Sequence, residues 1–535
     1  MRPPQAIEHS GNGRPPPVEV EVAIVGSGFS GLGMAIRLKQ EGIEDFVVLE
    51  RGDDVGGTWH FNTYPGCACD IPSHLYSFSF APNPDWTQTY SRQPEIREYL
   101  RQCADEFGVR RHIRFGCELL GARWDDEAGR WRLETTRGPA SARVLVSGAG
   151  PLFEPKVSQL PGLERFHGAT FHSARWDHYC DLPGKRVAAI GTGASAIQFV
   201  PEIQPEVAQL HVFQRTAPWV VPHNNRPVTR LERAAYRAVP GLQRLVRGAT
   251  YALRESLVPG FVERPRLMRF VERLARRHMR SQISDPELLA KVTPDYSIGC
   301  KRILPSNDWY PALGQPNVEL VTAPIREIRE SSIVAADGKE REVDAIIFGT
   351  GFHVTDMPVG RLVHGRDGRS LDEVWQGSPR AHLGTAVAGF PNLFLLLGPN
   401  TGLGHNSMVY MIESQIAYVL GALRAMRERD AGAVEVRGET QAAFNDRIDA
   451  RMQGTVWSTG CSSWYFDSKG RNAALWPDWT WRFRRRTASF DAEHYELRPR
   501  GSFGGPAVRP TRLSARARSG RGAGSSRTAT SESRR

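Results

Sequence analysis

The sequence predicts an α/β protein with two Rossmann-like dinucleotide-binding domains, the second inserted into the first. The prediction rests on two glycine-rich turns, each lying between an apolar strand and an amphipathic helical pattern. Residues 20–25 lead into the first turn, and residues 184–190 lead into the second. Strand, tight turn and helix in this order form the phosphate-binding region of a βαβ unit.

The first turn carries Gly26, Gly28 and Gly31 in the spacing GxGxxG. Glycines let the backbone turn sharply and approach a pyrophosphate, whose charge is then stabilised by free N–H groups at the start of the next helix. A second apolar strand ends at Glu50, 24 residues after Gly26. An acid at this place accepts hydrogen bonds from a ribose diol, so the unit is predicted to bind a dinucleotide.

The second turn carries Gly191 and Gly193, with Ala196 in the third small position. A following strand places Arg215 at the same offset of 24 residues from the first glycine. A carboxylate would repel a 2′-phosphate, whereas a guanidinium binds it with a fork of hydrogen bonds. The second unit is therefore predicted to bind NADP rather than NAD.

A reduced nicotinamide must pass its hydride to an acceptor, so FAD is predicted in the first unit and NADPH in the second. Two more apolar strands that end in glycine, 142–150 and 343–352, are interpreted as connections between the domains. The predicted organisation is a flexible segment 1–17, a first segment of the FAD-binding domain (18–150), an NADP-binding domain (151–340) with a helical insertion at about 230–291, a second segment of the FAD-binding domain with a C-terminal loop (341–495), and a disordered basic tail (496–535).

Composition and charge argue against a membrane span and against specific nucleic-acid binding. Hydrophobic residues make up 40% of the chain, mean hydropathy is −0.40, and no stretch approaches the roughly 18 to 20 apolar residues of a span. The N-terminus lacks the apolar core of a signal peptide, so a cytoplasmic location is expected. Residues 498–535 hold ten arginines and one acid, which accounts for most of the net charge of +11. A solvated tail is the simplest interpretation, and weak anion binding is the alternative.

The seven cysteines predict neither a disulfide framework nor a zinc site, because no CxxC pair is present. Cys67 and Cys69 are interpreted as reduced thiols without redox chemistry. No metal site is expected.

Two longer motifs point to a family. Residues 166–177 match the fingerprint FxGxxxHxxxW(P/D), which includes Gly168, His172 and Trp176, and residues 56–70 match GGxWxxxx(F/Y)PGxxxD. In these motifs the chain resembles the type I Baeyer–Villiger monooxygenases of the flavin-containing monooxygenase superfamily, and the resemblance covers nearly its whole length. Members that oxygenate nitrogen or sulfur usually have Tyr or Phe where this sequence has Trp176.

The resemblance implies a reaction. NADPH reduces FAD, O2 adds to the flavin to give a C4a-peroxyflavin, and one oxygen atom is inserted beside the carbonyl of a ketone to give an ester or a lactone. The anionic species on this route need a fixed cation. The resemblance places Arg302 at the flavin as that cation, held by the carboxylate of Asp70. It places Lys301 near the 2′-phosphate with Arg215.

Further cofactor contacts follow from the same resemblance. Thr58, Trp59 and Asp70 belong to the flavin-binding loop. Thr216 either contacts the 2′-phosphate or simply ends a strand.

The fingerprint residues Gly168, His172 and Trp176 are expected to govern movement of the NADP domain rather than bond making. For His172, a structural histidine at a hinge is the alternative. Trp464 lies in a loop that covers nicotinamide and substrate in related enzymes, and it is predicted to line the pocket, with core packing as the alternative.

The helical insertion shapes the substrate pocket in the family, although a basic amphipathic segment can also rest on an anionic membrane. The substrate itself and the oligomeric state cannot be read from the sequence. The main alternative function is an N- or S-oxygenating monooxygenase of the same superfamily. A third hypothesis is a flavoprotein with vestigial oxygenation whose basic tail binds a partner, and a disulfide reductase is disfavoured by the lack of CxxC.

Overall fold

The structure is a computed structural model that describes residues 18–357 and 359–503. The predicted flexible segment 1–17 and residues 504–535 of the predicted tail lie outside the described residues. The strands are β1 Val18–Val25, β2 Phe46–Leu49, β3 Ile113–Arg114, β4 Leu119–Asp125, β5 Arg130–Thr135, β6 Gly138–Ser147, β7 Ala169–His172, β8 Arg186–Ile190, β9 Gln209–Phe213, β10 Val220–Val221, β11 Leu304–Pro305, β12 Val318–Val321, β13 Ile325–Ile328, β14 Ser332–Ala335, β15 Glu340–Glu342, β16 Ala345–Phe348, β17 Val363–His364, β18 Leu393–Leu395, β19 Ala431–Val436 and β20 Tyr495–Pro499. The α-helices are α1 Phe29–Gln40, α2 Thr58–Phe61, α3 Gln93–Glu106, α4 Ala196–Ile203, α5 Arg230–Ala238, α6 Pro240–Glu255, α7 Arg269–Gln282, α8 Pro286–Val292, α9 Trp309–Leu313, α10 Val359–Leu362, α11 Leu371–Trp375, α12 Met408–Glu428, α13 Gly438–Met452 and α14 Thr480–Thr487.

The larger sheet has the strand order β17-β4-β5-β6-β1-β2-β3, and β18 also pairs with β6. β1 lies inside the sheet and pairs in parallel with both β2 and β6. Val22, Ala23 and Ile24 of β1 are completely buried, as expected for a parallel strand that is covered on both faces of the sheet. The first glycine turn therefore opens at the carboxyl edge of this sheet, where dinucleotides bind.

The second sheet has the order β12-β9-β8-β16-β7, and all of its strand pairs are parallel. The chain enters it after β6 and returns to the larger sheet with β17. The second Rossmann-type unit is thus inserted in the first, as the sequence predicts. A small antiparallel sheet of β13, β14 and β15 follows β12.

The predicted end of the NADP domain at residue 340 is wrong. β16, which the sequence analysis assigned to the FAD domain, lies between β8 and β7 in the second sheet and pairs Phe348 with both Ile190 and His172. A fully buried parallel strand has the same apolar composition in either sheet, so its partners could not be read from that composition. The chain leaves the second sheet only after residue 348.

The predicted start of the tail at residue 496 is also wrong for its first residues. β20 pairs in antiparallel fashion with β19 and buries Tyr495. Arg498 lies 2.8 Å from the carboxylate of Asp126. The arginine-rich composition of residues 496–535 therefore did not reveal the short edge strand at its start, because composition is an average over a whole segment.

The predicted helical insertion consists of α5 to α8, with a π-helical turn at Pro259–Glu263 and a 3₁₀ turn at Pro265–Met268. The side chain of Thr229 caps α5 by accepting a hydrogen bond from the N–H of Glu232, and the carboxylate of Glu232 accepts one from the N–H of Thr229. This capping box fixes where the insertion begins. None of the helices in the described ranges combines the length and the apolar character needed to cross a bilayer.

Candidate active site

The first glycine turn has the backbone that a pyrophosphate cradle needs. Gly26 has φ +86°, and a Cβ on Gly31 would lie 1.8 Å from the carbonyl oxygen of Gly26. Gly57 has φ +53°, and a Cβ there would lie 2.8 Å from the Cα of Gly28. Two glycine turns thus close on each other at the start of α1, and no side chain fits between them.

Glu50 ends β2 beside this cradle and is 3% exposed. One carboxylate oxygen accepts hydrogen bonds from the N–H and the hydroxyl of Ser27, at 2.8 and 2.7 Å, and the other accepts one from the N–H of Gly52 at 2.7 Å. The charge of Glu50 is therefore held at the place where the sequence predicts a ribose contact.

The predicted flavin-binding loop follows directly. Thr58 begins α2, and the ring of Trp59 is buried and donates a hydrogen bond from Nε1 to the hydroxyl of Tyr76 at 3.2 Å. Cys67 and Cys69 in this loop are buried free thiols. Burial raises the pKa of Cys67 to about 12 and raises that of Cys69 as well. Neither is a reactive thiolate at neutral pH, in line with the interpretation from the sequence.

The second glycine turn repeats the geometry of the first. Gly191 has φ +110°, and a Cβ on it would lie 2.5 Å from the carbonyl oxygen of Gly349. A Cβ on Gly193 would lie 4.0 Å from the same oxygen, so this position is less crowded. The hydroxyl of Thr192 donates a hydrogen bond to the carbonyl oxygen of Thr216 at 3.1 Å, which joins the turn to the end of the following strand.

Arg215 and Lys301 come together from distant regions of the chain. Arg215 is exposed at the end of β9, and Nζ of Lys301 lies 4.6 Å from the centre of the Tyr296 ring. Burial and the nearby charge of Arg215 lower the pKa of Lys301. Within the described residues neither cation makes a salt bridge. Two cations that repel each other, and that have no carboxylate in salt-bridge contact within the described residues, fit a site for a doubly charged phosphate; only the more distant charge of Asp295 acts in the opposite direction on Lys301.

Arg302 and Asp70 form a bidentate ion pair between the two domains. Nε of Arg302 donates to Oδ2 of Asp70 at 2.7 Å, and Nη2 donates to Oδ1 at 2.6 Å. Nη1 donates a longer bond of 3.4 Å to the carbonyl oxygen of Leu403. Burial alone would lower the pKa of Arg302, but the carboxylate of Asp70 outweighs it and the pKa is raised. The guanidinium therefore stays charged in a partly buried position, with 25% of its side chain exposed.

A disulfide joins this ion pair to the C-terminal loop. Cys300 and Cys461 are bonded across 161 residues. The sequence predicts no disulfide framework, and it did not indicate this single bond. Spacing could not reveal it, because connectivity between distant cysteines is not encoded in sequence spacing. The bond holds residues 459–466 against the residue that precedes Lys301.

In this loop the predicted pocket residue Trp464 is 47% exposed, with its ring centre 4.3 Å from that of Tyr465. Tyr465 is 1% exposed, and its hydroxyl has no hydrogen-bond partner within the described residues. Burial raises the pKa of Tyr465 to about 12, while the charge of Arg302 acts in the opposite direction. Tyr465 was not among the residues predicted for the site. The only indication of it in the sequence was its position next to Trp464.

The fingerprint residues lie at the edge of the second sheet. A Cβ on Gly168 would lie 2.4 Å from the carbonyl oxygen of Asp344, so this position needs a glycine. His172 is 4% exposed, and its Nδ1 accepts a hydrogen bond from the N–H of Ala174 at 3.0 Å. Burial lowers the pKa of His172 to about 4. Trp176 packs edge-on against Phe171.

One residue that the sequence analysis did not single out connects the two domains. Oε1 of Gln198, on α4, accepts a hydrogen bond from the hydroxyl of Tyr64 at 2.9 Å, and its Nε2 donates to the carbonyl oxygen of Ala68 at 3.1 Å. A Cβ on Gly66 would lie 2.7 Å from the carbonyl oxygen of Gln198. The flavin-binding loop thus docks on the helix that follows the second glycine turn.

The structure brings the predicted residues into three groups. The first is the cradle of Gly26, Gly28, Gly31 and Glu50 with the loop that starts at Thr58. The second is the turn of Gly191 and Gly193 with the cations Arg215 and Lys301. The third is the Arg302–Asp70 pair between them. This arrangement is typical of an oxidoreductase that binds two dinucleotides, and it adds a charged, partly buried arginine where the two domains meet.

Comparison with known proteins gives the family. Residues 19–237 match the family model "Flavin-binding monooxygenase-like". A Baeyer-Villiger monooxygenase from Streptomyces coelicolor is 54% identical over 483 residues, which cover 90% of this chain and 93% of that protein. Cyclohexanone monooxygenase from Rhodococcus sp. Phi1, solved bound to NADP+, is 30% identical with a TM-score of 0.82, over 90% of this chain and 100% of that one. OTEMO, solved in complex with FAD and NADP, is 26% identical with a TM-score of 0.81, over 89% and 99%.

The chain belongs to the Baeyer–Villiger monooxygenases within the flavin-binding monooxygenase-like family. This membership confirms the family resemblance, the fold class and the prediction of a flavin-dependent monooxygenase. The roles of the individual site residues stay predictions.

Proposed function

We propose that this chain oxidises a ketone to an ester or a lactone with NADPH and O2, with FAD as its bound cofactor. FAD and NADPH, the cofactors that the sequence predicts, are confirmed by the flavin-binding family and by solved relatives that hold FAD and NADP. When bound, the flavin supplies the redox chemistry that takes electrons from NADPH and activates O2. The residues of the chain bind and orient the cofactors and the substrate, and they stabilise the charge that develops during the reaction.

The cradle of Gly26, Gly28, Gly31 and Gly57 fits the pyrophosphate of FAD, because the two turns approach each other without a Cβ and lead directly into the N-terminus of α1. Glu50 binds the ribose of FAD. Its carboxylate is available to a ribose diol once the Ser27 hydroxyl turns away.

Arg215 and Lys301 bind the 2′-phosphate of NADPH, with Thr216 at the end of the same strand. Their unpaired positive charges support this assignment, because a phosphate removes the repulsion between them. Selection of NADPH over NADH then follows from charge alone.

Arg302 carries the proposed function. Asp70 occupies Nε and Nη2, which fixes the plane of the guanidinium and leaves Nη1 with one weak backbone contact. A fixed cation with a free N–H stabilises an oxyanion that forms on the substrate carbonyl more than it stabilises the neutral ketone. Trp464 and Tyr465 close the site on the side of the C-terminal loop.

The test is rapid mixing of the NADPH-reduced holoenzyme with O2, followed by product analysis with a panel of linear, cyclic and aryl ketones and one thioether. Ester or lactone formed in proportion to NADPH consumed supports the proposal. Sulfoxide from the thioether, with no ester from any ketone, supports the N- or S-oxygenating alternative. Stoichiometric hydrogen peroxide with every substrate overturns both.

Two further assignments belong to the proposal. The reaction takes place in the cytoplasm, where NADPH is regenerated, and the partners of the enzyme are a small ketone and O2 rather than nucleic acid. The near-neutral charge of the chain before residue 498 supports the second assignment, since nucleic-acid sites need clustered cations on the folded body.

A further inference from the structure

Helix α6 has its polarity reversed: its buried face is polar. Gln243 and Glu255 are 5% and 4% exposed. Nη1 of Arg247 donates hydrogen bonds to the carbonyl oxygens of His74 and Ser77, at 2.8 and 2.9 Å. Glu255 accepts bonds from the N–H and the hydroxyl of Thr480. Arg247 and Glu255 thus attach the helix to the protein.

The solvent face of α6 is apolar. Leu245 and Leu253 are 69% and 71% exposed, and Leu242 is 36% exposed. The other exposed residues on this face are Arg244 and four small residues, Gly241, Gly248, Ala249 and Ala252. Their spacing of three and four residues makes one continuous stripe along the helix. A helix on a globular protein normally turns such a stripe inward, so this one lacks its partner.

Exposed arginines lie on α6 and on the two helices joined to it. They are Arg244 on α6, Arg230 on α5 and Arg485 on α14, and none of them makes a salt bridge within the described residues. No Asp or Glu between residues 230 and 256 is exposed. Trp481, 41% exposed, follows Thr480, whose hydroxyl lies 3.0 Å from that of Tyr251 on α6. An apolar stripe with a neighbouring exposed tryptophan and flanking arginines has the composition of a helix that lies in a membrane interface.

We propose that the solvent face of α6, defined by Leu242, Leu245, Ala249 and Leu253, binds the surface of an anionic lipid bilayer. The leucines enter the boundary between head groups and acyl chains, and the arginines bind the lipid phosphates. The cytoplasmic leaflet carries this negative charge. A second copy of the chain fits less well, because a symmetric contact would set Arg244 and its neighbours against identical cations. The proposal does not depend on the reaction that the enzyme catalyses.

The test is co-sedimentation of the full-length holoenzyme with vesicles of phosphatidylcholine containing 30% phosphatidylglycerol, and with vesicles of phosphatidylcholine alone. We expect binding to the anionic vesicles that weakens at high salt. The double variant L245S/L253S is expected to bind at least about tenfold more weakly, since two exposed leucines leave the contact. The matched control is Leu120→Ser, at a 52% exposed position on β4, which should bind like the unsubstituted chain.

A second readout reports insertion directly and does not depend on the stability of the serine variant. An environment-sensitive fluorophore on Ala249→Cys should shift to the blue when anionic vesicles are added, whereas the same label on Leu120→Cys should not. Three results would overturn the proposal. The first is equal vesicle binding by L245S/L253S and the control, which would assign binding to another basic region. The second is a dimer of the unsubstituted chain that L245S/L253S dissociates, which would make this face an interface between two copies. The third is no binding to either kind of vesicle.

Discussion

At the scale of single residues, the position of Arg302 allows one guanidinium to serve two anions. Asp70 takes two of its three nitrogens, and the third has only a 3.4 Å contact with the carbonyl of Leu403. We expect Arg302→Ala to lose at least about 100-fold in ester formation, the usual scale for removal of an oxyanion stabiliser. Reduction of the flavin by NADPH should persist. Stopped-flow reduction and product analysis measure the two steps separately.

Arg302→Lys is the matched variant for this prediction. Lysine keeps the charge but cannot hold Asp70 with two parallel hydrogen bonds, so its loss should approach that of alanine. Unchanged ester formation per reduced flavin in Arg302→Ala would show that Arg302 takes no part in the oxygen insertion.

Arg215 is the second residue whose charge has a measurable consequence. Because its charge acts on Lys301 and it has no salt-bridge partner within the described residues, its guanidinium should contribute mainly to binding of a 2′-phosphate. Arg215→Ala is expected to raise the KM for NADPH at least about tenfold and to leave that for NADH nearly unchanged. Exposed Arg165→Ala is the control. An equal loss with both nucleotides would contradict the assignment.

His172 predicts a dependence of stability on pH. Burial lowers its pKa to about 4, so the folded protein holds it neutral, while the unfolded chain protonates it near its ordinary value of 6.5. Below pH 6.5 the unfolded state therefore binds the extra proton, and stability falls as the pH drops towards 4, by about 2 kcal/mol at pH 5. His172→Gln should remove this contribution to the loss, and exposed His167→Gln should not. Urea unfolding of the holoenzyme at pH 7 and pH 5 measures both.

At the scale of elements, the sequence predicted best the two glycine turns, where the same residues determine both the backbone geometry and the chemistry. Gly26 and Gly191 have positive φ, as their spacing predicts, and Glu50 and Arg215, to which we assign nucleotide binding, follow the next strands at the predicted places. Contacts between residues that are far apart in the sequence could not be predicted. The Cys300–Cys461 bond and the burial of Tyr465 depend on contacts over long separations, which no local pattern encodes.

The disulfide predicts how the C-terminal loop responds to reduction. Residues 459–466 are fixed to the segment before Lys301 by this one covalent link, and Trp464 is exposed on them. Treatment with a dithiol, or Cys461→Ser, is expected to speed chymotryptic cleavage after Trp464 several-fold and to raise the KM for the ketone. Cys180→Ser, at a partly exposed free cysteine, should change neither. Mass spectrometry of the fragments locates the cut, and an unchanged rate would mean that packing alone holds the loop.

At the scale of the whole molecule, the two domains share one arrangement, in which the glycine turn packs against the end of a neighbouring strand. A Cβ on Gly26 would lie 3.0 Å from the carbonyl oxygen of Gly148, after β6, just as one on Gly191 would lie 2.5 Å from that of Gly349, after β16. β16 therefore has the place in the second sheet that β6 has in the first. Both strands end in the pattern G-x-G, at 148–150 and 349–351, and this repeat was the signal that could have placed the domain boundary correctly.

The C-terminus supplies the last prediction. A chain that ends at residue 497 cuts β20 in two, removes Arg498 from Asp126 and removes Phe503, whose ring lies 5.0 Å from the guanidinium of Arg498. A chain that ends at residue 503 keeps all of these contacts. We expect the shorter chain to unfold at a temperature several degrees lower, because an edge strand and an ion pair are lost together. The chain ending at 503 should match the full-length protein in melting temperature and in NADPH consumption. Calorimetry of the FAD-loaded proteins makes the comparison, and equal melting of the two shortened chains would show that β20 adds no stability.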